Sequence, residues 1–111
     1  MSDCLFCKIS AGEIPAEVIY RDDDCVAFRD IAPKAPVHLL VIPHKHIENL
    51  YDLKEEDAEL MSRLLLTLPR IARQQGLDQG FRTVTNTGHG GGQEVFHLHF
   101  HLLGGGSLHS L

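Results

Sequence analysis

The clearest pattern in the chain is a strict alternation near its end. Phe96-His97-Leu98-His99-Phe100-His101-Leu102-Leu103 switches between apolar residues and histidine at almost every step, and a period of two is the signature of a half-buried β-strand. Successive strand side chains point to opposite faces. Leu98, Phe100 and Leu102 are therefore predicted to enter a core, with His97, His99 and His101 lining the other face. Two further strands, at 17–20 and 25–28, read as a hairpin around the acidic turn Asp22-Asp23-Asp24. His38-Leu39-Leu40-Val41-Ile42-Pro43 is apolar enough to be a central strand, and residues 81–86 alternate again. Between these the period lengthens. Met61, Leu64, Leu65, Leu68 and Ala72 recur at three- and four-residue spacing and predict a long helix over 55–76. Glu55, Glu56 and Asp57 suit its start, Arg70 and Arg73 its last turns, and Gly76 its stop. Pro69 lacks a backbone donor and is predicted to kink the helix or split it after Leu68. Leu60, Leu66 and Ile71 widen the apolar surface beyond one stripe, which predicts a second neighbour in the form of a homodimer.

Length and charge narrow the class. A chain of 111 residues supports a single domain, 1–111. A formal charge of −5 argues against a general nucleic-acid or anionic-membrane surface, so neither is expected as a partner. No apolar run approaches the ~20 residues of a membrane span, and the N-terminus lacks a signal-peptide core. Three cysteines make an odd count, and without an export signal a disulfide framework is not expected. A cytoplasmic, soluble protein is the expectation.

Several short stretches could carry chemistry. Cys4-Leu5-Phe6-Cys7 is open to three readings: a redox pair, half of a zinc site, or two buried thiols with no role. The preceding strand of a thioredoxin-like unit is missing. Thr87-Gly88-His89-Gly90-Gly91-Gly92-Gln93-Glu94 could be a flexible hairpin loop or an anion-binding nest of backbone N–H groups. It lacks the Lys-Ser/Thr end of a P-loop. His38 could be an ordinary strand-end histidine.

The three histidines in register, followed by two apolar residues and Gly104-Gly105-Gly106, resemble the His-φ-His-φ-His-φ-φ signature of the histidine-triad (HIT) family of nucleotide hydrolases and transferases. The similarity runs from Cys4 to Gly105 through Glu13-Ile14-Pro15, Ala27-Phe28-Arg29-Asp30-Ile31, Ala35-Pro36-Val37-His38, Val41-Ile42-Pro43, Asn86 and Gly91-Gly92-Gln93-Glu94-Val95. It looks closest to the Hint-like branch, which hydrolyses purine nucleoside phosphoramidates. The resemblance implies an α+β fold: a five-stranded antiparallel sheet with one long helix and a short N-terminal helix, the sheet extended by dimerisation. It assigns His99 as nucleophile, with His101 and His38 as its hydrogen-bonding and proton-handling partners. Asp30 would bind the ribose, and Phe6, Ile9, Phe28 and Ile31 would wall the purine. Asn86, Gln93, Glu94 and the backbones of Gly92 and Val95 would hold the phosphate. Cys4, Cys7, His46 and His97 resemble a structural zinc site of some bacterial-type members, and no organic cofactor is implied. Three departures concern substrate preference: Glu94 where serine is common, Gly106 where arginine is common, and the absence of tryptophan.

The chemistry suits these residue types. Imidazole titrates near pH 6.5 and is mostly a neutral nucleophile at pH 7. It can attack an α-phosphorus to give a histidine–nucleotide intermediate that water then opens. The departing amine needs a proton, and His101 is placed to supply it. Other readings are a dinucleoside polyphosphate hydrolase or nucleotidyl transferase of the same family, and a nucleotide-binding protein without turnover. A zinc hydrolase with all three triad histidines on one ion is a further alternative. It is disfavoured because first and third would lie ~13–14 Å apart along a strand.

Overall fold

Two helices of unequal length cover opposite faces of one antiparallel sheet. The computed structural model describes residues 3–106 and 108. The short helix α1 (Leu5–Ser10) comes first, followed by the strands β1 (Val18–Arg21), β2 (Cys25–Arg29) and β3 (Val37–Pro43). The long helix α2 (Ala58–Gln74) then leads to β4 (Arg82–Val84) and β5 (Phe100–Gly104). The sheet order is β1-β2-β3-β5-β4, and every neighbouring pair is antiparallel. The α+β architecture with five strands, one long helix and a short N-terminal helix is the one expected. No helix among the described residues is long and apolar enough to cross a membrane.

The central strands β2 and β3 are buried along nearly their whole length, as a strand covered on both faces must be. Alternation then sorts their side chains. Ala27, Leu39, Val41, Leu98, Phe100 and Leu102 pack against Leu64, Leu68, Ile71 and Ala72 of α2. Val26, Phe28, Leu40 and Ile42 pack against Phe6 and Ile9 of α1. His38 shares the second face, two residues before Leu40, and His101 pairs across the ladder with Leu40 itself.

Local boundaries differ from the sequence-based expectation in four places. The β5 ladder begins at Phe100, not at residue 96. Residues 96–99 keep the alternation without a neighbouring rung, since the Leu98 N–H donates instead to the Ile47 carbonyl at 2.6 Å. Strand β4 is three residues long, not six, because the chain from Thr85 onward turns toward the glycine loop. The long helix starts at Ala58, since Glu55–Asp57 form a separate 3-10 turn. Of the kink or split predicted at Pro69, the split does not occur, and α2 runs on to Gln74. The bond that Pro69 forfeits would have gone to the carbonyl of Leu65, an exposed residue, where water can replace the lost donor.

Candidate active site

The four histidines of the α1 face are held by hydrogen bonds that fix which ring nitrogen carries the proton. The Lys34 N–H donates to His38 Nδ1 at 3.0 Å, so the proton of a neutral His38 ring lies on Nε2. That Nε2–H donates to His101 Nδ1 at 2.9 Å, which leaves the His101 proton on its own Nε2. His99 donates Nδ1–H to the His97 carbonyl at 2.7 Å, leaving its Nε2 as a lone pair. His97 donates Nε2–H to the Pro43 carbonyl at 2.9 Å, leaving its Nδ1 as a lone pair. One strand-like segment thus presents a free nitrogen at His99 beside a donor at His101, their ring centres 5.2 Å apart.

Burial keeps the partners neutral. It pushes His101 down to about 4, with His99 and His38 adding to the shift, and it lowers His38 against the opposing pull of Asp30. The Asp30 carboxylate lies 3.5 Å from His38 Nε2 and accepts the Ala32 N–H at 2.8 Å. Phe6 stands edge-on to His99 with ring centres 5.2 Å apart, and meets Phe28 the same way at 5.5 Å. Phe6, Ile9 and Phe28 are all buried beneath the histidines.

His97 faces away from this pair and into another cluster. Its Nδ1 lies 3.4 Å from Cys4 Sγ, 3.5 Å from Cys7 Sγ and 3.3 Å from His46 Nδ1, and Cys7 Sγ lies 3.3 Å from the same His46 atom. All four atoms fall within 4.8 Å of one another. Tetrahedral zinc, with Zn–N near 2.0–2.1 Å and Zn–S near 2.3 Å, would space nitrogen pairs by about 3.3–3.4 Å and nitrogen–sulfur pairs by about 3.5–3.6 Å. The donor set therefore fits a tetrahedral metal in kind and in spacing. Burial drives His97 down to about 4, so its ring is neutral and able to ligate. Burial and the adjoining Cys4 thiol raise Cys7, an effect that a bound cation reverses. The three triad histidines do not converge on a single ion: His97 joins the cysteines, while His101 groups with His38 and Asp30.

The glycine loop is braced from within. Gln93 is buried, and its Oε1 accepts from the Gly88 N–H at 2.8 Å and from Asn49 Nδ2 at 3.2 Å. Its Nε2 donates to the Glu48 and Val95 carbonyls at 2.7 and 3.0 Å. The amide expected at the phosphate thus organises the loop instead. The Gly92 N–H is likewise spent on the His89 carbonyl at 3.0 Å. Among the described residues the N–H groups of Glu94 and Val95 have no protein acceptor, and Val95 packs beside the α1 cluster. Glu94 is exposed, Asn86 is half-buried, and Ile31 is fully exposed, unlike the buried purine-wall candidates Phe6, Ile9 and Phe28.

The HIT domain matches residues 11–108 of this chain. An uncharacterized HIT-like protein of Synechococcus elongatus is 58% identical over 106 residues, covering 96% of this chain and 93% of its own. The chain belongs to the histidine-triad family. Protein HitA of Neisseria gonorrhoeae is 51% identical over 104 residues, with 94% and 97% of the two chains covered. The crystal structure of a HIT family hydrolase from Legionella pneumophila superposes with a TM-score of 0.92 at 51% identity, over 95% of each chain. A histidine-triad protein from Clostridium difficile gives 0.95 at 45% identity, over 100% of this chain and 97% of that one.

Two supports of this histidine-triad site escape a reading of the sequence. Thr85 donates its hydroxyl to the His99 carbonyl at 2.7 Å, a side-chain rung placed just where the β4–β5 ladder stops at Val84 and His101. Asn49 caps the turn at Leu50–Asp52 through the Tyr51 N–H and also holds Gln93. Asparagine is a common cap residue, but a partner 44 positions away leaves no local signal in the chain.

Proposed function

We propose that this histidine-triad protein is a phosphoramidase. It would hydrolyse purine nucleoside phosphoramidates, in which AMP or GMP is joined to an amine, with acyl-AMP as a related substrate. The description of the Legionella relative as a hydrolase supports the reaction class. The observation that carries the reading is the orientation of His99, whose Nδ1–H is tied to the His97 carbonyl so that Nε2 is free to attack. In the first step the Nε2–P bond forms and the P–N bond of the substrate breaks. The amine leaves with a proton from His101 Nε2, whose tautomer is set by His38. Water then attacks the phosphorus, the Nε2–P bond breaks, and the proton from water returns to His101 Nε2, restoring both neutral rings. Phe6, Ile9 and Phe28 would floor the purine site, with Ile31 closing over the base from solvent. Asp30 would take the ribose hydroxyls, while Asn86 and the N–H groups of Glu94 and Val95 would meet the phosphate oxygens. Gln93 and Gly92 would act by shaping that loop.

Cys4, Cys7, His46 and His97 would hold a structural zinc ion, which supplies a fixed tie between α1 and the segment bearing His97. The resting poise of the cytoplasm, where we place the protein, acting as one domain over 1–111, keeps such thiols reduced and able to bind metal. Leu65 and Leu66 lie half or more exposed on α2, and β4 pairs on one side only. Both features support a homodimer, expected to sediment at twice the 12.4 kDa chain mass at micromolar concentration. A monomer there removes that part of the reading.

Rapid acid quenching of a single turnover should trap a nucleotidyl adduct on residue 99. His99→Asn should abolish both adduct and turnover, by roughly 10⁴-fold or more, while nucleoside monophosphate still binds. A turnover screen of adenosine and guanosine phosphoramidates against dinucleoside polyphosphates tests the substrate class. Faster cleavage of the polyphosphates overturns the phosphoramidate assignment, and a turning-over His99→Asn protein overturns covalent catalysis.

A further inference from the structure

The Cys/His cluster and the attacking histidine share one residue. His97 offers Nδ1 to the cluster and, through its carbonyl, holds the Nδ1–H of His99 at 2.7 Å. Phe6 lies between the two cysteines in sequence and edge-on to both rings, with centres 6.0 Å from His97 and 5.2 Å from His99. Whatever fixes Cys4 and Cys7 therefore also fixes the surroundings of the nucleophile. All three cysteines are free, but only two are reachable. Cys4 and Cys7 are partly exposed, while Cys25 is sealed in the core with its thiol pushed up to about 12 by burial.

We propose that Cys4 and Cys7 are a peroxide-sensitive pair whose oxidation to a disulfide expels the metal and slackens the hold on His99. The inference rests on the proposed zinc site and on His99 as nucleophile. One thiolate attacks the peroxide, the O–O bond breaks, and a sulfenic acid forms with release of hydroxide. The second thiolate displaces the other hydroxide, the S–S bond forms, and two protons convert both hydroxides to water. Two thiolates are thus oxidised by two electrons and one peroxide is reduced. Cys4 is the N-cap of α1, its sulfur accepting the Cys7 N–H at 3.3 Å. It precedes α1 in extended backbone, with φ −83° and ψ 117°, and its sulfur already lies within 4.8 Å of that of Cys7. A disulfide draws the sulfurs to ~2.05 Å. Two thiolates on one tetrahedral zinc stand about 3.7–3.8 Å apart, so both cannot stay bound. Two ligands of four are lost in one event.

The structural effect is local. Phe6 and Ile9 keep α1 near the sheet through apolar packing, but the tie from α1 to His97 is gone. His97 keeps its bond to Pro43, with its Nδ1 unpartnered beside His46. Loss of an orienting partner of this kind costs roughly 10–100-fold, so oxidised protein should turn over at least about tenfold more slowly.

The test is a hydrogen peroxide titration of the full chain reconstituted with zinc. Released zinc is read with a chelating dye, free thiols are counted, intact mass is measured, and the ¹⁵N imidazole signals of His99 are followed by NMR. Expected are one zinc released per disulfide formed, a thiol count falling from three to one, and a mass loss of two hydrogens. The His99 signals should shift while backbone amides of the central strands stay in place, and dithiol reductant with added zinc should restore both. Zinc that leaves without a disulfide overturns the proposal, as does a disulfide that leaves zinc bound, or an unmoved His99 ring. A reconstituted protein that holds no zinc before peroxide is added removes the metal site itself, and the inference with it. A protein inert toward phosphoramidates that still shows the coupled zinc, disulfide and His99 changes leaves the inference standing and removes only the substrate.

Discussion

The two faces of the sheet are made by the same strands and from different materials. Toward α2, side chains such as Leu39, Val41, Leu98, Phe100 and Leu102 meet Leu64, Leu68 and Ile71 in an apolar core. Toward α1, Val26, Phe28, Leu40 and Ile42 share the surface with His38, His99 and His101, and the Cys/His cluster closes its end. The covers differ as well. Helix α2 has 17 residues and a continuous apolar side, whereas α1 has six, far below the length at which a helix holds itself together. Alternation explains how the two coexist. Along 97–102, each residue that anchors the dry face is the backbone neighbour of a histidine, so the core under Leu98, Phe100 and Leu102 positions the imidazoles above it. Stability and reactivity are separated by side-chain direction, not by distance along the chain.

The two faces separate most sharply where a change on one leaves the other untouched. On the reactive face, His101→Ala should slow substrates with poor amine leaving groups by ~10²–10⁴-fold and leave good ones, such as arylamines, much less affected. Equal losses for both would deny His101 its donor role. On the dry face, Ile71→Ala removes a fully buried side chain and should cost about 2–5 kcal/mol of stability, while kcat per folded molecule stays near wild type. A large fall in kcat at full folding would show that the faces are not separable. A further effect is in pH. A histidine in the unfolded chain titrates near 6.5, whereas in the folded protein burial holds His101 and His97 down at about 4 and lowers His38. Above ~6.5 both states are neutral and stability is complete. As pH falls toward 4 the unfolded chain takes up protons that the folded one refuses, and stability declines. Denaturant midpoints of zinc-free protein should drop over that window, and His38→Asn with His101→Asn should flatten the slope. A flat wild-type profile would mean that these rings are not the desolvated groups described.

Much of this was legible in the chain because alternation is a local property. The sorting of residues 97–102 between faces, the central place of 38–43 and the helical stripe through Leu64, Leu68 and Ala72 depend on neighbours a few positions apart. Where partners are distant, the sequence is silent. Ladder pairing gives out before Phe100 because Ile47 and the Thr85 hydroxyl take the next bonds. Asp57 belongs to a separate turn because its carboxylate is shared by Lys45 and the Lys54 N–H. Gln93 reads as a phosphate ligand until Glu48 and Asn49 are seen to occupy its amide. Of the kink or split that Pro69 predicts, the split does not occur, since Leu68, Ile71 and Ala72 pack into the core on either side.

The sheet order has a consequence for how the molecule is assembled. Strand β5 is the last of the five described strands to be synthesised, yet it lies between β3 and β4. His38 waits 63 positions for His101, and Cys4 waits 93 for His97. Closing such loops must precede the contacts that reward it, which slows folding and leaves β3 with an open edge in the nascent chain. A growing polypeptide therefore carries the hairpin, α2 and an unfilled slot until residues 97–104 emerge. Insertion of that one segment completes the core, the proton relay and the Cys/His cluster together, so a partly made chain has none of them.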